Sequence, residues 1–200
     1  MHGSTFLLQQ HRLKRRGFAV RRFSYPSMLQ GLAHNTALLA RFIDTTSVGE
    51  IHLLGHSLGG LLALSMLQQY PNPRVRRVVL MGSPCMGCHC AAMLQRVPGL
   101  GRIIGHTLQD WLALPRPQLS DQIEIGVLSG NRNLGLGCMI PGLKSPNDGV
   151  VAVTETHWPE AKDFITLPVS HAQMLVSSVC AAQVAVFLDT GRFTHEASHP

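Results

Sequence analysis

The chain has 200 residues, of which 45% are hydrophobic and 14% are charged, enough apolar content for one globular domain with its own core. No stretch approaches the roughly 18 uninterrupted apolar residues that a membrane-spanning helix needs. The first residues also lack the charged-then-apolar order of a secretory signal. These features argue against an integral membrane protein and predict a soluble, cytoplasmic one.

The formal net charge is +6, and much of it lies in residues 11–22. Such a basic segment can attract nucleic acid or an anionic membrane surface. It has no interleaved aromatic residues and no nucleic-acid motif, so no nucleic-acid partner is predicted. A solvated helix face is the preferred interpretation, and weak contact with a membrane surface is the alternative.

Hydrophobic periodicity predicts helices and strands in alternation along the chain. The predicted helices cover residues 7–16, 31–43, 58–70 and 171–188, with a further helix near 104–112, and Gly17 is well placed to end the first. The predicted strands cover residues 18–25, 51–54, 75–81, 123–128 and 164–169. This order favours an α/β fold, with a mostly parallel, doubly wound sheet and helices on both faces. We expect one domain over residues 1–193, a cap or lid insertion over 85–117, and a disordered tail over 194–200.

Residues 50–61 read E-I-H-L-L-G-H-S-L-G-G-L, which places G-x-S-x-G between a predicted strand and a predicted helix. This context is typical of a nucleophile elbow, a sharp turn that exposes a serine above the strand ends. The turn requires small residues two positions before and after Ser57, and Gly55 and Gly59 stand there. The amide of Leu58, at the helix start, is then a donor for an oxyanion. The motif predicts a serine hydrolase; the alternative is a glycine-rich turn with a capping serine.

A serine nucleophile needs a base, and the base needs an orienting carboxylate. Parallel sheets carry such residues just past the carboxyl ends of their strands. His171 follows the strand predicted at 164–169 and is the candidate base, against a helix-capping or packing role. Asp148 is the candidate acid, although its Asn-Asp-Gly setting also suits a plain turn; Glu155 is the second choice, and Asp163 precedes its strand.

The second oxyanion donor is expected from a loop opened by His-Gly. His2-Gly3 stands at the start of the chain, so the amide of Ser4 or Thr5 is the candidate donor, and His2 itself is structural.

Residues 86–114 are rich in Met, Leu and Ile, and Met86 and Trp111 are candidate substrate-binding residues. The alternative is that this segment simply covers the sheet. Among five cysteines, Cys85, Cys88 and Cys90 are close in sequence; reduced thiols are the preferred interpretation, and a metal clip with His89 is the alternative. We predict no metal and no cofactor.

The motifs H-G (2–3), G-H-S-L-G-G (55–60), M-G-S-P (81–84), P-N-D-G-V-V (146–151) and S-H-A-Q-M-L (170–175) follow one another over nearly the whole chain. In this combination the sequence resembles the α/β-hydrolase superfamily, in particular small bacterial lipase- or esterase-like enzymes. The resemblance implies Ser57, Asp148 and His171 as a catalytic triad, a lid after the strand at 75–81, and no cofactor. In such enzymes His-Gly closes a central strand, whereas only Met1 precedes it here, so the sequence leaves open a truncated start or a sheet without that strand.

The main functional hypothesis is hydrolysis of a small-molecule or lipid-like ester through an acyl-enzyme. A thioesterase, amidase or acyltransferase would use the same residues. A third possibility is a catalytically silent binding protein with this fold. The sequence does not indicate an oligomeric state.

Overall fold

A four-stranded, entirely parallel sheet lies at the centre of the molecule, in the spatial order β1-β2-β3-β4. The computed structural model describes residues 3–46, 49–96, 105–135 and 141–195. The strands are β1 (Ile51–His56), β2 (Val75–Met81), β3 (Glu124–Gly130) and β4 (Asp163–Leu167). The strands predicted at 51–54, 75–81, 123–128 and 164–169 are therefore confirmed. Five of their eight ends differ from the predicted ends by one or two residues, and the other three coincide.

Helices cover both faces of this sheet. They are α1 (Leu7–Lys14), α2 (Leu32–Asp44), α3 (Leu58–Gln69), α4 (His89–Gln95), α5 (His106–Ala113), α6 (Val153–Thr156) and α7 (Ser178–Thr190), and a 3-10 turn at Gly3–Phe6 leads into α1. One core cluster lies under α2, α3 and α5, and a second lies under α1 and α7. The predicted α/β fold, a parallel sheet with helices on both faces, is confirmed.

The alternation of side chains along β2 explains why the sheet needs cover on both sides. Val78 and Leu80 point into the first core cluster, whereas Val79 and Met81 point into the second, and all four are fully buried. Successive residues of a strand face opposite sides, so a continuous apolar run requires two apolar layers. That run is what made residues 75–81 recognisable in the sequence.

The strand predicted at 18–25 is wrong. Those residues are not in regular secondary structure, and none of the amides of residues 19–23 donates a hydrogen bond to a described residue. A strand exists only when its backbone groups pair with a neighbour. The alternating pattern was present, but the described part of the chain supplies no partner for it.

The last helix is shorter than its predicted range of 171–188. His171 lies in a turn, a 3-10 turn follows at Gln173–Leu175, and α7 begins at Ser178. Ser177 caps α7, since its hydroxyl accepts a hydrogen bond from the Cys180 amide at 3.2 Å. Gly17 ends the first helical region with a φ of +92°, as predicted.

None of the described helices is long and apolar enough to cross a membrane. In the segment predicted to be a disordered tail, Thr194 and His195 form hydrogen bonds with Gln183 and Asp163 respectively. Residues 196–200 of that segment lie outside the described residues.

Candidate active site

Ser57 occupies a strained turn at the carboxyl end of β1. Its φ of +53° makes it the one non-glycine residue with positive φ in the described ranges. β1 ends at His56, α3 begins at Leu58, and the Ser57 amide donates to the Met81 carbonyl of β2 at 2.9 Å. Strain of this kind persists only where the surrounding structure enforces it, and it is concentrated at functional sites. The predicted strand–turn–helix context of the serine is confirmed.

Two glycines around Ser57 are required because other atoms come too close for a side chain, and only one of them is a glycine that was predicted to be required. A Cβ on Gly55 would lie 2.5 Å from the Gly60 Cα, and one on Gly60 would lie 2.9 Å from the Ser83 Cβ. A Cβ on Gly59 meets no atom within 4 Å outside the backbone of its own helix. The requirement for a small residue therefore falls on Gly55 and Gly60, and the expectation for Gly59 is wrong.

Asp148 and His171 form a buried pair. The Asp148 Oδ2 lies 2.7 Å from the His171 Nδ1, and the Asp148 side chain is 1% exposed. An ionised carboxylate only accepts, so Nδ1 is the donor, which leaves Nε2 as the ring nitrogen that can take up a proton. The His171 amide also donates to the Asp148 carbonyl at 2.8 Å.

The second carboxylate oxygen of Asp148 is held by its own loop. Its Oδ1 accepts from the amides of Val150 and Val151 at 2.9 and 2.7 Å. Two amide donors fix the plane of the carboxylate group. The Asn-Asp-Gly turn and the orienting role are thus compatible, because the turn uses Oδ1 and the imidazole uses Oδ2.

Gly82 shows that this pair lies beside the nucleophile turn. A Cβ on Gly82 would lie 3.2 Å from both the Asp148 Oδ2 and the His171 Nδ1, and Gly82 follows Met81, whose carbonyl bonds to the Ser57 amide. The structure therefore brings Ser57, Asp148 and His171 to one edge of the sheet. In the described parts of the chain no hydrogen bond joins the Ser57 hydroxyl to the His171 ring; such contacts are often long without substrate.

His56 supports the same imidazole, a role that the sequence interpretation missed. Its Nε2 donates to the His171 carbonyl at 3.0 Å, and the two rings lie 4.5 Å apart. Burial lowers the pKa of His56 to about 3, with a smaller contribution from the charge of His171. A neutral histidine at this position avoids a second positive charge beside the candidate base.

Glu155, the second candidate acid, has a different function in this structure. Its Oε1 accepts from the His89 amide, its Oε2 accepts from the Ala152 amide at 2.8 Å, and its carbonyl accepts from the Met86 amide at 2.9 Å. Glu155 thus ties the start of the 85–117 segment to the loop that follows Asp148. Its two carboxylate oxygens are already occupied by backbone donors.

The candidate oxyanion donors lie on two elements. Leu58 is the first residue of α3, whereas Ser4 and Thr5 are exposed in the 3-10 turn. The next residue of that turn, Phe6, packs edge-on against the His56 ring with centroids 6.5 Å apart, which places the turn near the nucleophile. His2 lies outside the described residues.

The two candidate substrate-binding residues differ in environment. Met86 is 42% exposed, and the Arg116 Nη1 lies 3.3 Å from its sulfur. Trp111 is only 6% exposed and belongs to the first core cluster. The α5 part of the 85–117 segment therefore packs onto the core, which agrees with the alternative interpretation that this segment covers the sheet.

The three clustered cysteines are unpaired; Cys85 and Cys90 are buried, and Cys88 is half-buried. Cys85, Cys88 and Cys90 are free thiols, and burial raises their pKa values to about 12, 11 and 12. Protonated thiols are poor metal ligands and poor nucleophiles. The described residues contain no group of three His, Cys, Asp or Glu side chains arranged to hold a metal ion. Cys138 lies outside them.

Parts of the sequence are similar to a known protein family and to a known enzyme. Residues 31–103 match the family model described as the alpha/beta hydrolase fold. The phospholipase YtpA of Bacillus subtilis is 49% identical over 37 residues, which are 18% of this chain and 14% of that protein. The chain thus spans only a small part of the length of that relative.

Two solved structures cover nearly the whole chain. The mature Bacillus licheniformis lipase BlEst2 superposes with a TM-score of 0.77 at 19% identity, over 96% of this chain and 87% of the lipase. A pyrethroid hydrolase from Sphingobium faniae JZ-2 gives a TM-score of 0.61 at 17% identity, over 94% and 93% of the two chains. At these identities the similarity establishes the fold.

Proposed function

We propose that this chain, whose residues 31–103 match the alpha/beta hydrolase family model and whose fold is similar to that of the lipase BlEst2, is an α/β-hydrolase that cleaves carboxylic esters with a serine nucleophile. The observation that carries the proposal is the buried Asp148–His171 pair beside the strained turn of Ser57. The phospholipase, lipase and pyrethroid hydrolase names of the similar proteins support hydrolysis as the reaction class.

In the proposed mechanism, the Ser57 hydroxyl attacks the ester carbonyl and its proton passes to the His171 Nε2. His171 then gives that proton to the leaving alcohol, and an acyl-enzyme remains. Water, deprotonated by the same imidazole, releases the acid. Asp148 holds the proton on Nδ1 throughout and stabilises the imidazolium that forms in each half-reaction. These steps use side chains of this chain and water, and so require no cofactor.

The proposed oxyanion donors are the Leu58 amide and the amide of Ser4 or Thr5. Leu58 opens α3, so its amide belongs to the positive end of a helix of 12 residues. Loss of one such donor typically costs roughly a hundred- to a thousand-fold in rate. The turn from Gly3 to Phe6 is held near the nucleophile by the Phe6–His56 contact.

We propose a small-molecule or lipid-like ester as substrate, with the exposed Met86 contacting its apolar part. Trp111 is buried in the first core cluster, so its proposed role is to hold the 85–117 segment in place and not to contact the substrate itself. A panel of esters, thioesters and amides with one common acyl group measures which acyl bond is preferred.

The decisive experiment combines a Ser57→Ala variant with a fluorophosphonate probe. We expect the variant to lose roughly six orders of magnitude in kcat toward a short p-nitrophenyl ester, because the triad acts as a unit. The probe should label Ser57 in the native chain. Ser120→Ala is the matched control, since Ser120 is exposed and precedes β3 at the opposite edge of the sheet. A folded native chain that never reacts with the probe would instead indicate a silent binding protein.

A further inference from the structure

The outer face of α1 carries apolar and basic side chains together. The inner face of this helix is buried, because the Gln9 side chain donates to the Ser177 carbonyl just before α7 at 3.2 Å and Leu13 packs in the second core cluster. With 3.6 residues per turn, six side chains remain on the outer face. None of them is buried: Leu7, Leu8, His11, Arg12, Lys14 and Arg15.

The beginning of α7 extends this face with two more exposed apolar side chains, Val176 and Val179. The two elements lie against each other, since the Arg12 guanidinium donates to the Val176 carbonyl. Leu8 precedes Arg12 by one helical turn and therefore lies on the same side of α1. The outer face of α1, the adjoining exposed Arg16 and the two valines together form one surface, here called the α1–α7 surface.

Exposed apolar side chains are concentrated on this surface. Large apolar side chains are exposed at ten described positions, and four of the ten belong to the α1–α7 surface: Leu7, Leu8, Val176 and Val179. Single exposed apolar residues are normal in folded proteins, whereas a cluster rimmed by polar residues marks a surface that meets a partner.

The charged residues of this surface are all basic. Residues 1–43 contain seven Lys or Arg residues and no Asp or Glu, and α7 has no charged residue before Asp189. None of the basic side chains at 12–22 forms an ion pair with a described carboxylate. Positive charge that the chain itself does not neutralise attracts an anionic partner.

The combination of apolar and basic side chains favours an anionic lipid surface over other anionic partners. A helix of this kind lies in the headgroup region, where its apolar side chains are inserted and its Lys and Arg side chains contact phosphates. Nucleic acid would leave the four apolar side chains in water, and none of the residues of the surface is aromatic and able to stack on bases. A second copy of the chain would present the same positive charge and be repelled.

We propose that the α1–α7 surface docks the chain on an anionic lipid bilayer. Its four apolar side chains lie in the headgroup region, and the basic side chains at 14–16 contact lipid phosphates. The amino end of α1 lies near the nucleophile turn, because Phe6 contacts His56, and His171 precedes Val176 by only five residues. A docked chain thus presents the candidate active site to the lipid, a consequence that rests on the proposed function.

Vesicle flotation tests the docking itself. The chain is mixed with vesicles of phosphatidylcholine alone or with about 30% phosphatidylglycerol, at about 0.1 M and about 0.5 M NaCl. At the lower salt concentration we expect at least about tenfold tighter binding to the anionic vesicles, and at the higher one most of this preference should be lost. Equal affinity for both vesicle compositions would overturn the proposal. Flotation involves no turnover, so its result is independent of whether the chain hydrolyses esters.

A charge variant tests whether the basic residues of this surface are responsible. It combines Lys14→Gln, Arg15→Gln and Arg16→Gln, and glutamine also favours helix. Each cation lost should weaken binding about fivefold, so the variant should bind anionic vesicles roughly a hundredfold more weakly. The control loses the same net charge at three exposed positions elsewhere: Arg76→Gln, Arg96→Gln and Arg192→Gln. It should bind within about threefold of the native chain, and equal losses in the two variants would overturn the assignment to this surface.

An apolar variant separates lipid from the other partners. Leu8 is 47% exposed, and Leu8→Gln should weaken vesicle binding about tenfold, because the inserted side chain no longer leaves water favourably. Tyr70→Gln is the matched control, since Tyr70 is 44% exposed and follows the last residue of α3; its binding should stay within about twofold. Native affinity in Leu8→Gln would overturn the proposal. A DNA duplex bound as tightly as the anionic vesicles, and equally by Leu8→Gln, would overturn it in favour of nucleic acid. A dimer in sedimentation that Leu8→Gln dissociates would overturn it in favour of a second copy.

Discussion

Replacing Asp148 by asparagine tests whether this carboxylate orients His171 as the proposed mechanism requires. The Asp148 carboxylate accepts from the amides of Val150 and Val151 through Oδ1 and from His171 through Oδ2. In Asp148→Asn the side-chain oxygen stays with the two amide donors, since an NH2 group there would face two N–H groups. The new NH2 group then faces the His171 Nδ1, which must become an acceptor.

This change inverts the tautomer of His171. With Nδ1 accepting, the ring proton moves to Nε2, and the imidazole can no longer take the proton of Ser57. We expect kcat to fall by about 10⁴, equivalent to about 5.4 kcal/mol of transition-state stabilisation. Stability should change far less, by about 1 kcal/mol, because the three hydrogen bonds of the carboxylate become neutral ones while no group loses its partner. For a chain of this length that is about 2–4 °C in Tm.

The assay is hydrolysis of p-nitrophenyl butyrate by both proteins near neutral pH, together with a thermal melt. Asp163→Asn is the matched control, because Asp163 also accepts a backbone hydrogen bond, from Phe193 at 2.7 Å, but stands at the amino end of β4. We expect the control to retain kcat within about twofold. An Asp148→Asn protein that stays folded and keeps more than about a tenth of native kcat would refute the assignment.

Three further predictions concern the surroundings of the site. Gly60→Ala should lower the free energy of unfolding by about 1–3 kcal/mol, because the added methyl group overlaps the buried Ser83 side chain. Urea unfolding measures this loss, and adding Ser83→Gly to the variant should restore most of it. Glu155→Gln should lower Tm by about 5 °C, because the amide keeps only one of two backbone hydrogen bonds, and its kcat should stay within about tenfold; a loss as large as that of Asp148→Asn would return Glu155 to the candidate acids. The pKa of His56 is about 3 in the folded chain, below its unfolded value of about 6.5. Between these two pH values the unfolded chain binds more protons than the folded one, so the free energy of unfolding falls as the pH falls through this window. His56→Gln, which keeps a donor for the His171 carbonyl, should remove most of that loss, about 1.4 kcal/mol per pH unit, when unfolding is compared at pH 7 and pH 5.

The sequence determined the sheet and the position of the nucleophile turn. Residues 75–81 form a continuous apolar run, which is stable only as a strand covered on both faces. The G-x-S-x-G pattern between a strand and a helix likewise located Ser57, because the turn depends on residues that are adjacent in the chain. His171 and Asp148 could be selected because the ends of parallel strands share one edge of the sheet.

Tertiary structure alone decided the features that depend on contacts between distant segments. Residues 18–25 alternate like a strand, but a strand forms only where its backbone has a neighbour to pair with. In the described structure, residues 18–23 and the residues of β1 line a common cavity of about 420 Å³ and do not pair with each other. Which glycine must be small was set by Ser83 on another strand's loop, so the requirement moved from Gly59 to Gly60. Local patterns report the period of a segment and its immediate turns; hydrogen-bond partners and steric limits come from segments brought together only by folding.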